Sequence, residues 1–150
     1  MTTYYADTSS LAKRYLIETG TNWIRSLITP SSGHIIVDCD LTPIEFFSLL
    51  SRRLREQKLT VSDAVNLRQS FLAHHQVDYL SVILEQPILI QARNLVTKYP
   101  LRPPDAIQLA CAIEARQTLN VPITFLCADN DLLSAAVAEG FAVDNPNLHP

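Results

Sequence analysis

The sequence predicts an α/β fold, a three-layer α/β/α sandwich in which helices cover both faces of a mostly parallel, about five-stranded sheet. Two observations support this prediction. Short apolar runs with β-favouring residues alternate with longer runs of helical periodicity. Proline stands where several helical runs begin and glycine where others end, as helix termini favour. With 150 residues, of which 47% are hydrophobic and 18% charged, the chain is expected to form one domain over residues 1–150.

The predicted elements follow one another along the chain with short connections. The strands are residues 3–6, 34–37, 79–84, 123–127 and a short edge at 141–143. The helices are residues 9–18, 22–29, 43–57, 61–75, 87–99, 104–118 and 130–139. Gly20 and Gly140 follow two of these helices as C-terminal caps. The third and fourth helices form the largest insertion, an apolar hairpin that either covers the sheet or offers a groove to a partner.

Composition and charge exclude several classes of protein. No apolar run approaches the roughly 18 to 20 residues of a membrane span, and the first residues, MTTYYADTSS, do not resemble a secretion signal. A cytoplasmic protein with no membrane partner is therefore expected. The three cysteines lack a C-x-x-C spacing, and the three glycines stand alone, which excludes zinc knuckles and glycine-rich nucleotide loops. A formal net charge of −3 at first argues against a nucleic-acid partner.

Four acidic residues are expected at one edge of the sheet. Asp7 and Asp129 end the first and fourth strands, and sites in open parallel sheets form outside the carboxyl ends of strands. Glu45 and Asp105 lie in the first turns of helices that begin at the same edge. Each acid also has a structural interpretation, because Asp and Glu cap helix N-termini, and Thr42-x-x-Glu45 has the pattern of a capping box.

Taken together, the four carboxylates predict a divalent metal site. Two like charges about 4 Å apart repel by about 1–4 kcal/mol, so a cation has to offset them. An all-oxygen set without a His or Cys ligand pattern suits Mg²⁺ or Mn²⁺, one or two ions, rather than Zn²⁺. Such a site implies metal-assisted attack of water on a phosphodiester. Setting four of the 15 acids aside leaves 11 against 12 bases, so the net charge no longer excludes RNA.

Three segments resemble the signature blocks of PIN-domain proteins: residues 4–15 (YYADTSSLAKRY), 101–110 (LRPPDAIQLA) and 125–133 (FLCADNDLL). The similarity is greatest to the VapC-like ribonuclease toxins of type II toxin–antitoxin systems and extends over essentially the whole chain. The resemblance implies a PIN-like fold and a Mg²⁺- or Mn²⁺-dependent endoribonuclease that cleaves RNA phosphodiesters. It also implies a homodimer and a small cognate antitoxin protein that occludes the site.

The resemblance assigns roles to individual residues. It implies that four acids are catalytic and bind the metal: Asp7, Glu45, Asp105 and Asp129. Asp7 and Asp105 are the expected direct ligands, and Asp131 is an alternative to Asp129 as the fourth acid.

Other positions are expected to support the site. Ser9 matches a hydroxyl residue that often follows the first acid of these proteins. Gln108 stands where many of them have His, which indicates a changed supporting or substrate contact. Lys13, Arg14 and Arg102 lie near the acids in sequence and are candidates for holding phosphates, although a solvated helix face is the favoured explanation for them.

Two alternatives belong to other classes of function. Residues 34–42 (HIIVDCDLT) resemble the first motif of haloacid-dehalogenase-type phosphatases, with Asp38 as nucleophile and Asp40 as general acid. In a structural interpretation both acids belong to a turn that leads to the Thr42 cap. The second alternative is a catalytically silent PIN-like module that binds a protein, with the acids serving only as caps. His74 and His75 are interpreted as a pair at a helix end without ligand spacing.

Overall fold

A computed structural model describes residues 1–150. The strands are β1 (Thr3–Ala6), β2 (Ile35–Cys39), β3 (Tyr79–Val82), β4 (Ile123–Leu126) and β5 (Ala142–Asp144). The helices are α1 (Thr8–Tyr15), α2 (Thr21–Ile28), α3 (Leu41–Arg55), α4 (Val61–Val77), α5 (Gln86–Lys98), α6 (Pro103–Leu119) and α7 (Asn130–Ala138). Short 3₁₀ turns lie at Pro30–Ser32 and Pro146–Leu148.

The five strands form one parallel sheet in the order β3-β2-β1-β4-β5. The chain moves outward from β1 to β3 on one side and then crosses to β4 and β5 on the other. In register, Tyr5 of β1 lies between Val37 of β2 and Phe125 of β4. The direction of the connections therefore reverses between β1 and β4, which is where open α/β sheets form their binding crevice.

Side chains alternate between two apolar layers, one on each face of the sheet. Tyr5 belongs to the layer formed with α5, α6 and α7, and its ring stacks on Phe125 with centroids 5.4 Å apart. Ala6, the next residue, belongs to the layer formed with α1 to α4. Phe46 and Phe71 of the α3–α4 hairpin are fully buried in this second layer. The predicted three-layer fold is confirmed, and the hairpin covers the sheet.

Some predicted boundaries and caps differ from the structure. α1 ends at Tyr15 because Leu16 is extended, with φ −110° and ψ 123°. Gly20 therefore does not cap α1; it precedes α2 with a φ of 88°, and a Cβ there would collide with the carbonyl group of Pro146. Gly140 does follow α7, with a φ of 91°. None of the helices combines the length and the hydropathy that a membrane-spanning segment requires.

Candidate active site

Asp7 is a buried acid at the carboxyl end of β1, where it also caps α1. Its Oδ1 accepts hydrogen bonds from the Ser9 hydroxyl over 2.7 Å and from the Ser10 backbone N–H over 3.0 Å. Its Oδ2 accepts from the Cys127 thiol over 3.1 Å. Burial raises the Asp7 pKa to about 6, although these three donors lower it, and the charge of Glu45 raises it further. The cap interpretation of Asp7 is therefore correct, but the cap uses only one of its oxygens.

Ser9 and Cys127 connect the ends of the two central strands. The Ser9 hydroxyl donates to Asp7 and accepts from the Ala128 backbone N–H over 3.0 Å. The Cys127 sulfur donates to Asp7 and accepts from the Asp129 backbone N–H over 3.2 Å. These contacts fix the carboxylate of β1 against the loop that follows β4. Ser9 thus lies beside the first acid, where the sequence predicts it.

Glu45 faces α6 and does not form the predicted capping box. α3 begins at Leu41, before the expected start, so Thr42 lies inside the helix with its side chain fully buried. Glu45 Oε1 accepts from the Thr8 hydroxyl over 2.9 Å and from Gln108 Nε2 over 2.7 Å. The prediction of a Thr42-x-x-Glu45 capping box is wrong, because both side chains turn towards Gln108 instead of the helix terminus.

Asp105 lies in the first turn of α6 beside an arginine. Arg102 Nε donates to Asp105 Oδ2 over 3.2 Å, and the Arg102 side chain is 77% exposed. Burial raises the pKa of Asp105, Arg102 lowers it, and the charge of Asp129 raises it. The charges of Asp105, then Asp129 and Glu45, raise the pKa of Arg102. Arg102 is therefore the exposed cation that lies near three of the four acids.

Asp129 follows β4 and caps α7. Its Oδ1 accepts from the backbone N–H groups of Asp131 and Leu132, over 2.9 Å and 3.0 Å. Asp131 lies on the exposed side of the first turn of α7, and its carboxylate accepts no hydrogen bond from the protein. The charge of Asp129 lies close enough to Asp105 to raise the pKa of that carboxyl. Of the two candidates for the fourth acid, Asp129 has the contacts with the rest of the edge.

The four acids form two neighbouring pairs, since the charge of Glu45 raises the pKa of Asp7 and the charge of Asp129 raises the pKa of Asp105. In three of them one oxygen is held and the other accepts no hydrogen bond from the protein: Glu45, Asp105 and Asp129. No group of three or more His, Cys, Asp or Glu side chains is arranged to hold one ion. Mg²⁺ needs only one or two carboxylates, with water and phosphate oxygens for the rest, so this set of donors fits Mg²⁺.

Two of the predicted basic contacts lie away from the acids. Arg14 donates to the Tyr79 hydroxyl over 2.7 Å and lies 3.8 Å from Asp78. Tyr79 begins β3, so Arg14 lies towards the amino-terminal edge of the sheet, opposite the acids. Lys13 is buried and bonds to Glu18, to the Thr19 carbonyl and to Asn147. Arg14 and Lys13 are therefore not placed to hold phosphates at this site, and Arg102 is the one candidate of the three that lies beside the acids.

The D-x-D-x-T motif does not form a phosphatase site. β2 continues to Cys39, so Asp38 lies inside the strand and is 0% exposed. Its oxygens accept from the Ser81 hydroxyl and from His75 Nδ1, each over 2.6 Å. A nucleophile has to reach its substrate, and this carboxylate is closed off by α4 and β3. The phosphatase interpretation is wrong, and His75 binds Asp38 within the fold.

Three residues that contact the acids or Gln108 are not predicted from the sequence as parts of the site. The sequence patterns assign no role in the site to Cys127, Thr8 or Tyr5. Thr8 contacts Glu45, and the Tyr5 hydroxyl donates to Gln108 Oε1 over 2.7 Å. The one available signal was position, because Thr8 and Cys127 are immediate or near neighbours of predicted acids. Gln108 is 1% exposed, which supports a role as a supporting contact and excludes contact with substrate.

Known proteins share this architecture. The PIN domain family model matches residues 4–138. The crystal structure of PAE2754 from Pyrobaculum aerophilum is 17% identical with a TM-score of 0.60, and the match covers 95% of this chain and 89% of that chain. The crystal structure of FitAcB from Neisseria gonorrhoeae is 16% identical with a TM-score of 0.55, covering 95% and 97%.

No curated protein matches the sequence significantly. At identities this low, the two solved structures establish similarity of fold alone. The family model is matched over far more than half of the chain, and its matched region includes all four acids. This protein therefore belongs to the PIN domain family.

Proposed function

We propose that this protein is a metal-dependent endoribonuclease that cleaves RNA phosphodiester bonds with Mg²⁺ or Mn²⁺, one or two ions. PIN domains are generally nucleases. The observation that carries the proposal is the position of Asp7, buried at the reversal point between β1 and β4 with Glu45 as its charged neighbour. A buried carboxylate whose pKa is raised has a functional rationale if a cation stabilises its charged form.

Each acid has a role in the proposal. Asp7 and Asp105 would bind metal directly, Asp7 through the remaining lone pair of Oδ2, which accepts one hydrogen bond, and Asp105 through Oδ1. Glu45 and Asp129, the neighbours of these two acids, would complete the set with their unbonded oxygens. The metal, when bound, would lower the pKa of an attacking water and stabilise charge on the phosphate oxygens. Cleavage is expected to leave 5′-phosphate and 3′-hydroxyl ends.

The other side chains position these groups or bind substrate. Ser9 holds Asp7 from the start of α1, and Cys127 holds it from the loop after β4. Arg102 is exposed and lies beside Asp105, so it is suited to contact a phosphate of the RNA backbone. The chain offers no broad basic face at this edge, and affinity for RNA is expected to depend on metal and on this arginine.

We also propose that the protein is the toxin of a toxin–antitoxin pair, active as a homodimer and inhibited by a small antitoxin. The resemblance of residues 4–15, 101–110 and 125–133 to VapC-like toxins supports this proposal. α4 also exposes apolar side chains on the hairpin, with Val61 at 71% and Leu72 at 37%. A neighbouring small gene for a DNA-binding protein with an extended tail would support the pair. Recovery of the protein only with itself from cells that carry that gene would contradict it.

The nuclease proposal is tested by incubating the purified 150-residue protein with single-stranded and structured RNA in EDTA and after addition of Mn²⁺ or Mg²⁺. Cleavage only with metal, leaving 5′-phosphate ends that a 5′-phosphate-dependent exonuclease degrades, is the expected result. Equal cleavage in EDTA would contradict metal dependence. Absence of cleavage with every metal and RNA would favour the alternative of a protein-binding module.

A further inference from the structure

We infer that Gln108, held by Tyr5, is a positioning residue that fixes Glu45 and thereby sets the metal affinity of the site without contacting metal or RNA. The identity of the ligand rests on the proposed function. The inference itself rests on a buried chain of hydrogen bonds that runs from the core to the acidic edge.

The Gln108 amide is enclosed by protein groups. The residue lies in α6 and is 1% exposed. Its Nε2 lies 2.7 Å from Glu45 Oε1, 3.2 Å from the Thr8 hydroxyl and 3.3 Å from the Thr42 hydroxyl. Its Oε1 accepts from the Tyr5 hydroxyl over 2.7 Å and, more weakly, from the Cys39 thiol over 3.6 Å. Both ends of the amide therefore have partners, and no part of it can reach a substrate.

The Tyr5 hydroxyl decides which way the amide faces. A carboxylate only accepts hydrogen bonds, so Glu45 requires the nitrogen end of Gln108. The oxygen end then needs a donor, and the Tyr5 hydroxyl is the shorter of the two that it has, the other being the Cys39 thiol. Burial raises the Tyr5 pKa well above its usual value, so the phenol keeps this proton. The Tyr5 ring stacks on Phe125 and is 0% exposed, which fixes the position of the hydroxyl.

The consequence for Glu45 is that one of its two oxygens is committed and the other is not. Oε1 accepts from Gln108 and from Thr8, whereas Oε2 accepts no hydrogen bond from the protein. The carboxylate is thus held by one side with its second oxygen available to a ligand. Partners of this kind typically contribute about 10- to 100-fold to metal affinity, although they do not touch the metal.

The test compares Gln108→Met and Tyr5→Phe, the double variant, and Gln108→His with wild type. Methionine has a similar shape to glutamine but no N–H donor, whereas histidine can accept from Tyr5 at Nδ1 and donate to Glu45 from Nε2. Gln117→Met, on the exposed side of the same helix, is the matched control. Binding of Mn²⁺ to the metal-free protein is followed by loss of the electron paramagnetic resonance signal of free Mn²⁺, beside the melting temperature.

We expect Gln108→Met to weaken Mn²⁺ binding about 10-fold or more, Tyr5→Phe to weaken it less, and Gln108→His to restore most of it. The double variant is expected to bind Mn²⁺ as weakly as Gln108→Met, because Tyr5 acts through Gln108. Its melting temperature should recover relative to Gln108→Met, since the phenol without a partner is removed. Gln117→Met should bind as wild type does.

Unchanged Mn²⁺ affinity in a folded Gln108→Met variant would overturn the inference. So would an equal further loss when Tyr5→Phe is added to Gln108→Met, since the two residues would then act independently. A wild-type protein that binds no Mn²⁺ would overturn it as well. Mn²⁺ binding with the expected pattern but no cleavage of RNA would support the positioning role while contradicting the proposed nuclease. Metal-dependent cleavage by a Gln108→Met variant with unchanged Mn²⁺ affinity would contradict the positioning role and leave the nuclease proposal standing.

Discussion

The Cys127 thiol donates to Asp7 Oδ2 over 3.1 Å, and the same sulfur accepts from the Asp129 backbone N–H over 3.2 Å. One buried atom thus joins the first and fourth acids across the reversal point of the sheet. Burial, and then the charge of Asp7, raise the pKa of this thiol far above its usual value. Cys127 is therefore a hydrogen-bond donor to a carboxylate, and it is not expected to react as a thiolate.

Removal of this donor should destabilise the protein. Cys127→Ala leaves Asp7 Oδ2 without a partner, so we expect the free energy of unfolding to fall by about 1.5–3 kcal/mol, as for a hydrogen bond to a charged group. Cys127→Ser keeps a donor and should recover part of the loss. Urea unfolding in EDTA measures the free energy of unfolding of wild type, Cys127→Ala and Cys127→Ser. A Cys127→Ala variant as stable as wild type would show that the thiol does not support Asp7.

Crowding and burial of Asp7 predict a pH-dependent gain in stability for Asp7→Asn. The Asp7 pKa is about 6 in the folded protein and 3.8 in the reference state, so its contribution to stability is present below about pH 4 and is lost as the pH rises through 6. In EDTA above pH 7, Asp7→Asn should be more stable than wild type by up to about 3 kcal/mol, and this difference should vanish near pH 4. Other buried groups titrate in both proteins, so their contributions cancel in the difference in stability between Asp7→Asn and wild type.

Melting temperatures at pH 4.5, 6 and 7.5 measure this effect, with and without Mg²⁺. The metal should stabilise wild type more than Asp7→Asn, because it binds the folded charged form. Equal melting of both proteins in every condition would show that the acids neither crowd nor bind metal.

Arg102 should affect RNA binding rather than folding. Its guanidinium is exposed, so Arg102→Gln should leave the melting temperature nearly unchanged and raise the KM for RNA. The loss of one phosphate contact should reduce the slope of log affinity against log salt by about one. Filter binding at several salt concentrations measures this slope, with Arg52→Gln at the far end of α3 as the control. An identical salt slope in Arg102→Gln and wild type would exclude a phosphate contact.

Asp38 should matter for stability alone. Asp38→Asn weakens the contacts with His75 and Ser81, so near pH 4.5 we expect a loss of about 1–3 kcal/mol in the free energy of unfolding. Burial raises the Asp38 pKa to about 6, so this loss should shrink above pH 7, where wild type carries a buried charge that the variant lacks. RNA cleavage per folded molecule and Mn²⁺ affinity should remain close to wild type. Loss of cleavage in a protein that remains folded would return Asp38 to the list of functional residues.

The sequence predicted the fold well because its signals were local. The alternation of strand and helix patterns and the positions of Gly140 and the acids after β1 and β4 all follow from neighbouring residues. The errors arose where long-range contacts decide. Thr42 has the sequence of a cap, but the chain enters α3 earlier and buries it against α6. Asp38 has the sequence of a nucleophile, but α4 covers it through His75.

The supporting residues of the site could not be found from sequence for the same reason. Gln108 and Tyr5 are 103 positions apart, and neither has a local pattern that indicates a polar contact in the core. Cys127 and Asp7 are 120 positions apart. Only the parallel pairing of β1 with β4, and the packing of α6 beneath them, brings these partners together.

The most direct test of the central claim is the single-turnover rate of RNA cleavage at saturating Mn²⁺ for wild type and four variants: Asp7→Asn, Glu45→Gln, Asp105→Asn and Asp129→Asn. Asp63→Asn, an exposed acid on α4, is the matched control. We expect Asp7→Asn and Asp105→Asn to lose at least about 100-fold, which is the upper end of the effect of a supporting partner, while Asp63→Asn stays within about 2-fold of wild type. Cleavage at the wild-type rate by folded Asp7→Asn or Asp105→Asn would contradict the account.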